Sequence, residues 1–104
     1  MSSVSHIERL RSKVASDPRS LVFAQLADAY RKGGRLDEAI EVCDKGLRHH
    51  PNYASAHLVL GRAYQEKSDL LAARDAFQRV LGLDPENVMA QRFLGEIAEA
   101  RGEV

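Results

Sequence analysis

The chain has 104 residues, enough for one small domain that buries about two-thirds of the surface its unfolded form would expose. Lys plus Arg and Asp plus Glu both total 15, so the surplus of cationic side chains that grips nucleic acid or anionic membrane is missing. A lone Cys43 excludes an intramolecular disulfide, the opening Met1–Arg9 stretch has no signal-like apolar core, and no apolar run approaches the roughly 20 residues that span a bilayer. A cytoplasmic protein is the expectation.

From the N-terminus, Ile7, Leu10 and Val14 recur at spacings of three and four before Asp17-Pro18. A helix is expected from about Ser20 to Lys32, broken by Gly33-Gly34, and a second from Leu36 to His49, closed by Pro51-Asn52. Over residues 54–67, Ala56, Val59 or Leu60, Ala63 and Tyr64 mark one buried helical face. Asp69 is placed as the N-cap of a helix over Leu70–Leu83, whose apolar stripe is Ala73, Ala76, Phe77, Val80 and Leu81. Asp84-Pro85 ends it, because the residue before proline is pushed out of the helical region. A last helix runs from about Asn87 to Arg101.

The elements repeat. Pro51 and Pro85 are 34 residues apart and Pro18 lies 33 before Pro51. A shift of 34 lays Leu26-Ala27 on Leu60-Gly61 and on Leu94-Gly95, Tyr30 on Tyr64, Ala39 on Ala73, and Cys43 on Phe77. Small residues at Ala27, Gly61 and Gly95 are expected where two helices of a hairpin cross, with Tyr30 and Tyr64 filling the space between neighbouring units. A hairpin of this kind cannot bury its apolar face alone and is stabilised by stacking.

Phe23-x2-Leu26-Ala27-x2-Tyr30 with Ala39-x3-Cys43 and Pro51 resembles a tetratricopeptide repeat, and His57-x2-Leu60-Gly61-x2-Tyr64 with Ala73-x3-Phe77 and Pro85 resembles it more closely. Gln91-x2-Leu94-Gly95 begins a third copy, with Ala98 in place of the aromatic, and Ile7, Leu10 and Val14 resemble the second helix of a preceding unit. The chain departs from the pattern at Cys43, which stands for an aromatic, and at His57 and Gln91, which stand for a large apolar residue. The resemblance implies one all-α domain over 1–104: a half repeat at 5–17, repeats at 20–53 and 54–87, and a half repeat at 88–101. Six helices would form antiparallel hairpins stacked into a right-handed superhelix. It further implies a non-catalytic scaffold that holds a protein or peptide in a concave groove, with no cofactor.

In the family, four positions of each first helix face that groove. Here these are Leu21, Ala24, Asp28 and Arg31, then Ser55, Leu58, Arg62 and Gln65, then Met89, Arg92, Glu96 and Glu99. Arg31, Arg62 and Arg92 could form a ladder that reads carboxylates through forked hydrogen bonds. The alternative is internal pairing of Arg62 with Asp28 or Glu96. Some relatives clamp the C-terminal carboxylate of heat-shock chaperones with a Lys and an Asn in the first unit. Ala24 and Asp28 stand at those two places, and Asp28 would repel such a group. Phe93 and Ile97 on the last helix are candidates for an exposed apolar strip. The alternative to the groove is therefore a structural module that docks another copy, as a homodimer, or a partner through this strip, or a stretch of a longer repeat array.

Nothing else in the sequence reads as chemistry. His49-His50 project about 100 degrees apart on a helix, a poor arrangement for chelating one metal, and are better placed to meet the carbonyl end of their helix. Cys43 falls on a core position and lacks the base and orienting group that a nucleophile needs. Gly33-Gly34 is not followed by the Lys-Ser or Lys-Thr of a phosphate loop.

Overall fold

A computed structural model describes residues 3–103, and it is all helix and turn over that range. The helices are α1 (Ser3–Ser16), α2 (Phe23–Lys32), α3 (Leu36–His49), α4 (Ala54–Glu66), α5 (Leu70–Leu83) and α6 (Val88–Ala100). Consecutive helices pack as antiparallel neighbours, and α2 also packs on α4, so the hairpins α2–α3 and α4–α5 are stacked with α1 and α6 at the two ends. The resulting body measures 44 × 26 × 19 Å. The expected start of α2 at Ser20 moves to Phe23, because residues 20–22 form a turn in which the Val22 N–H donates to the Ser20 hydroxyl.

The helix ends follow local chemistry. The Asp69 carboxylate accepts from the Ala72 N–H at 3.3 Å, and the Asn87 amide oxygen accepts from the Ala90 N–H at 2.8 Å. Each satisfies one of the donors that the first turn of a helix leaves free. The turns that leave α2, α4 and α6 are copies of one another. Gly34, Ser68 and Gly102 lie in the left-handed region at φ 79, 65 and 71 degrees. In each turn the next N–H returns to a carbonyl five residues back: Arg35 to Tyr30, Asp69 to Tyr64 and Glu103 to Ala98, at 2.9, 2.9 and 2.8 Å. Glycine adopts this conformation without strain, whereas Ser68 does so at a cost.

Two phenylalanines fill the two hairpins from opposite sides. In the second hairpin the ring of Phe77, on α5, lies where a Cβ on Gly61 of α4 would be only 2.6 Å away. In the first hairpin the ring of Phe23, on α2, lies 2.1 Å from where a Cβ on Gly46 of α3 would be. The expected small-residue crossing is therefore present at Gly61, while the first hairpin reaches the same closeness through Gly46, a glycine outside the repeated pattern. Cys43, at the position that Phe77 occupies in the next unit, turns its thiol to the Ala56 carbonyl of α4 at 3.7 Å. Cys43 is fully buried, and burial pushes its thiol up to about 12.

The polar residues at the fourth position of two units share a role. His57 Nε2 donates to the Pro51 carbonyl at 2.8 Å, and Gln91 Nε2 donates to the Pro85 carbonyl at 3.1 Å. Each side chain reaches back six residues and ties its helix to the linker before it. His50 turns away from the carbonyl end of α3; its Nε2 donates to the Arg19 carbonyl and its ring stacks on Phe23.

Two main cores result. One joins Ile7, Leu10, Leu26, Tyr30, Ala39 and Ala63; the other joins Ala73, Phe77, Val80, Ala90, Phe93 and Ile97. The second corrects an expectation. Phe93 and Ile97, placed by the sequence on an exposed strip, are 2% and 1% exposed, and Phe93 stacks on Phe77 with ring centroids 5.1 Å apart. The reason is rotational. Residues 90, 93 and 97 of α6 match 56, 59 and 63 of α4, the side that packs back on the preceding hairpin. The homodimer expected through Phe93 and Ile97 loses its contact surface. The open apolar side chains of α6 are instead Val88 and Met89, 72% and 39% exposed.

Candidate binding face

The first helices of the successive units, α2, α4 and α6, carry the twelve positions that the resemblance marks for ligand contact. The structure divides them into two unlike halves.

At the α2–α4 half the side chains are consumed by the fold. Ala24 is 6% exposed and packs with Phe23 and Ala56, so it offers no surface. Arg31 is 7% exposed; its Nε donates to Asp28 Oδ1 at 2.9 Å and its Nη1 to Glu66 Oε2 at 3.0 Å and Oε1 at 3.2 Å. Burial works against the guanidinium charge, but the hydrogen bonds to Glu66 and Asp28 outweigh it and hold the Arg31 pKa above its ordinary value. Lys32 adds a second cation to Asp28 at 3.3 Å. The expectation that Ala24 and Arg31 reach into open space is therefore corrected. Both are covered, because α4 brings Ala56 and Glu66 against them. Leu21 and Ser55, at the N-terminal ends of this half, are exposed.

The α4–α6 half is open. The Arg62 guanidinium lies over the Phe93 ring at 4.8 Å, and that of Arg92 lies over the same ring at 5.2 Å. Each contact contributes about 0.5–1 kcal/mol at a partly exposed site. Arg92 Nε also donates to Glu96 Oε2 at 3.3 Å, and Gln65 Nε2 donates to Glu96 Oε1 at 3.2 Å, linking the two helices. Among the described residues, no carboxylate pairs with Arg62. Leu58 is half-buried against the core beside Phe93, while Met89 and Glu99 are exposed.

The three arginines consequently do not form one ladder. Arg62 and Arg92 share a ring, and Arg31 stands apart with its charge matched. The internal pairing weighed for Arg62 is not found either: Arg31 takes Asp28, and Arg92 takes Glu96. Glu66 was missed as the partner of Arg31. It lies 35 residues further along, one repeat plus one residue, a spacing that places it beside Arg31 on the adjacent helix. The surface holds no group of three or more His, Cys, Asp or Glu able to hold a metal ion among the described residues, and no described helix is long and apolar enough to cross a membrane.

The family model described as Tetratricopeptide repeat matches residues 24–86 and again 58–104. Among curated proteins, the chain is 34% identical over 70 residues to the chloroplastic tetratricopeptide repeat domain-containing protein PYG7 of Arabidopsis thaliana, which covers 67% of this chain and 23% of that one. The chain thus spans under a quarter of that relative's length. Among solved structures, the first TPR domain of the human RPAP3 protein superposes with a TM-score of 0.92 at 24% identity, covering 97% of this chain and 80% of that one. The second TPR domain of the human RPAP3 protein, solved in complex with the HSP70 peptide SGPTIEEVD, superposes with a TM-score of 0.83 at 30% identity, covering 88% of this chain and 77% of that one.

Proposed function

Since the chain belongs to the tetratricopeptide repeat family, we propose that it is a non-catalytic scaffold that binds a partner protein or peptide in the groove of its superhelix, at the α4–α6 end. The ligand segment carries an acidic side chain beside an apolar one. The acidic group meets Arg62 and Arg92, and the apolar group rests on Leu58 and Met89. The observation that carries this reading is Arg62, held over the Phe93 ring with no carboxylate partner among the described residues. A cation that is already partly desolvated and unmatched gains most from an incoming carboxylate. That the second TPR domain of human RPAP3 takes a peptide ending in EEVD supports an acidic ligand for a fold this similar.

The α2–α4 half contributes walls rather than contacts, with Asp28, Arg31, Lys32 and Glu66 matched among themselves. Asp28 disfavours a ligand carboxylate at that end, so this reading differs from a chaperone-terminus clamp built on α2. Neither nucleic acid nor membrane is a partner in this reading, and a cytoplasmic setting with the single repeat domain over 1–104 belongs to it.

The test is a display library of short peptides, followed by titration of the best binder against variants. Arg62→Glu and Arg92→Glu should each weaken binding about tenfold or more, a loss of at least ~1.4 kcal/mol, with the helical circular dichroism unchanged. Arg31→Met should change binding little. Selected peptides without acidic residues, or full binding by Arg62→Glu, would overturn the reading.

A further inference from the structure

The cationic end of the groove already holds a carboxylate of its own. Arg62 and Arg92 share the Phe93 ring, 4.8 and 5.2 Å from its centroid, so their charges stand close together. Glu96 lies beside them. Its Oε2 accepts from Arg92 Nε at 3.3 Å and its Oε1 accepts from Gln65 Nε2 at 3.2 Å. The two guanidiniums and this carboxylate leave a single positive charge in excess. Both bonds to Glu96 are long, and Arg92 and Glu96 are 62% and 46% exposed, so theirs is a surface ion pair that contributes little to folding stability. Glu99, one turn further along α6, is exposed and pairs with neither arginine among the described residues.

We propose that Glu96 is the specificity-determining residue of the groove, limiting the ligand to one negative charge at Arg62 and Arg92. The role presupposes the groove as the ligand site and decides which acidic groups that site accepts. Glu96 occupies only the Nε of Arg92, so the terminal nitrogens of Arg92 and the guanidinium of Arg62 remain for an incoming carboxylate. One such group balances the local charge. A second negative charge, from a neighbouring acidic side chain or from a phosphoryl group, is in excess and must either displace Glu96 or lie against it. A repulsive element of this kind separates ligands that an attractive contact alone would treat alike.

The repulsion scales with the charge of the incoming group. Removing the Glu96 charge therefore multiplies the affinity for a singly charged group by some factor, and that for a doubly charged group by about the square of it. Loss of a hydrogen bond or of packing has no such dependence on the ligand's charge. The substitution that isolates the effect is Glu96→Gln, which keeps the length of the side chain and an acceptor oxygen for Gln65 and Arg92.

The probes are two capped peptides, acetyl-Leu-Glu-Leu-amide and the same peptide with phosphoserine in place of glutamate, which carry one negative charge and nearly two at neutral pH. Each is titrated into the isotope-labelled protein at low ionic strength, where exposed charges are screened least, while the side-chain Nε–H resonances of Arg62 and Arg92 are followed. The parent should bind the glutamate peptide at least as tightly as the phosphoserine peptide. Glu96→Gln should gain about threefold for the glutamate peptide and about tenfold for the phosphoserine peptide, with helicity and melting temperature unchanged. Gln65→Met, which cuts the tie to α4 and keeps the Glu96 charge, should leave the ratio between the peptides as in the parent. An equal gain for both peptides in Glu96→Gln would overturn the proposal, as would a parent that prefers phosphoserine, or a Gln65→Met variant that reproduces the change in ratio. In each of those cases binding that Arg62→Glu abolishes leaves the groove standing. If neither peptide moves either arginine resonance in the parent and in Glu96→Gln, the groove reading falls and this role of Glu96 falls with it.

Discussion

Gly61 and Gly95 occupy the same repeat position in opposite surroundings, so one substitution at both sites separates packing from helix propensity. In an open helix, alanine is favoured over glycine by about 0.5–1 kcal/mol. At Gly95 nothing opposes this gain, because a Cβ meets no atom within 4 Å. At Gly61 the new Cβ would stand 2.6 Å from Phe77 Cε1 and 2.8 Å from two further ring atoms. The ring cannot retreat cheaply, since it is fully buried and stacked on Phe93. Overpacking of this kind costs about 1–3 kcal/mol. Gly61→Ala should therefore be about 1 kcal/mol less stable than the parent and Gly95→Ala slightly more stable, a gap of about 2 kcal/mol between the variants. For a domain of this size that gap is about 8–16 °C in melting temperature. Thermal and urea unfolding followed at the helical dichroism band measure it. The double variant Gly61→Ala/Phe77→Leu should recover part of the loss, because the smaller side chain vacates the contested space. If Gly61→Ala melts at or above Gly95→Ala, the close approach inferred for α4 and α5 is wrong.

Three other outcomes follow from the geometry. Ser68→Gly should raise stability by about 0.5–1 kcal/mol, measured by urea unfolding, because it removes a side chain from the left-handed conformation that Gly34 and Gly102 adopt freely. Arg31→Met should cost about 1–2 kcal/mol, less than for a fully buried pair because Glu66 is 41% exposed, and adding Glu66→Gln should cost less than the two changes summed. The raised Cys43 thiol opposes ionisation in the folded chain. Its contribution to stability is fully present below a pH of about 9, where an unfolded cysteine ionises, and is lost as pH rises towards about 12. Cys43→Ala should flatten that alkaline decline, and a thiol reagent at pH 8 should label Cys43 only at the rate at which the chain opens.

The helices themselves were legible because their signals are local. The prolines at Pro51 and Pro85, the Asp69 cap and the Gly33-Gly34 break each act within a few residues of where they stand. What failed depends on rotation about an axis or on the neighbouring helix. Ala24 and Arg31 sit at positions marked for ligand contact, yet Ala56 and Glu66 close over them. Phe93 and Leu94 are adjacent apolar residues on a helix that is apolar on two sides, so composition alone could not say which side turns inward. The period held the answer: laid on α4, Phe93 and Ile97 fall on Val59 and Ala63, which face the preceding hairpin. The roles of His57 and Gln91 were hidden for a different reason. Their partners are backbone carbonyls, which the identity of a residue does not reveal.

The opposed placement of Phe23 and Phe77 limits how freely the two repeats can exchange parts. Each hairpin holds one large ring against one glycine, but the first takes its ring from its leading helix and the second from its trailing one. A chimaera joining α2 to α5 would bring two rings into one hairpin, and one joining α4 to α3 would bring none, although every piece is native. Restoring the repeat pattern by Cys43→Phe would overpack as well, placing a ring where a fully buried thiol already meets the Ala56 carbonyl. The two units are alike in outline and not interchangeable in substance, and a library built by shuffling them should retain only those members that keep one phenylalanine and one glycine in each pair.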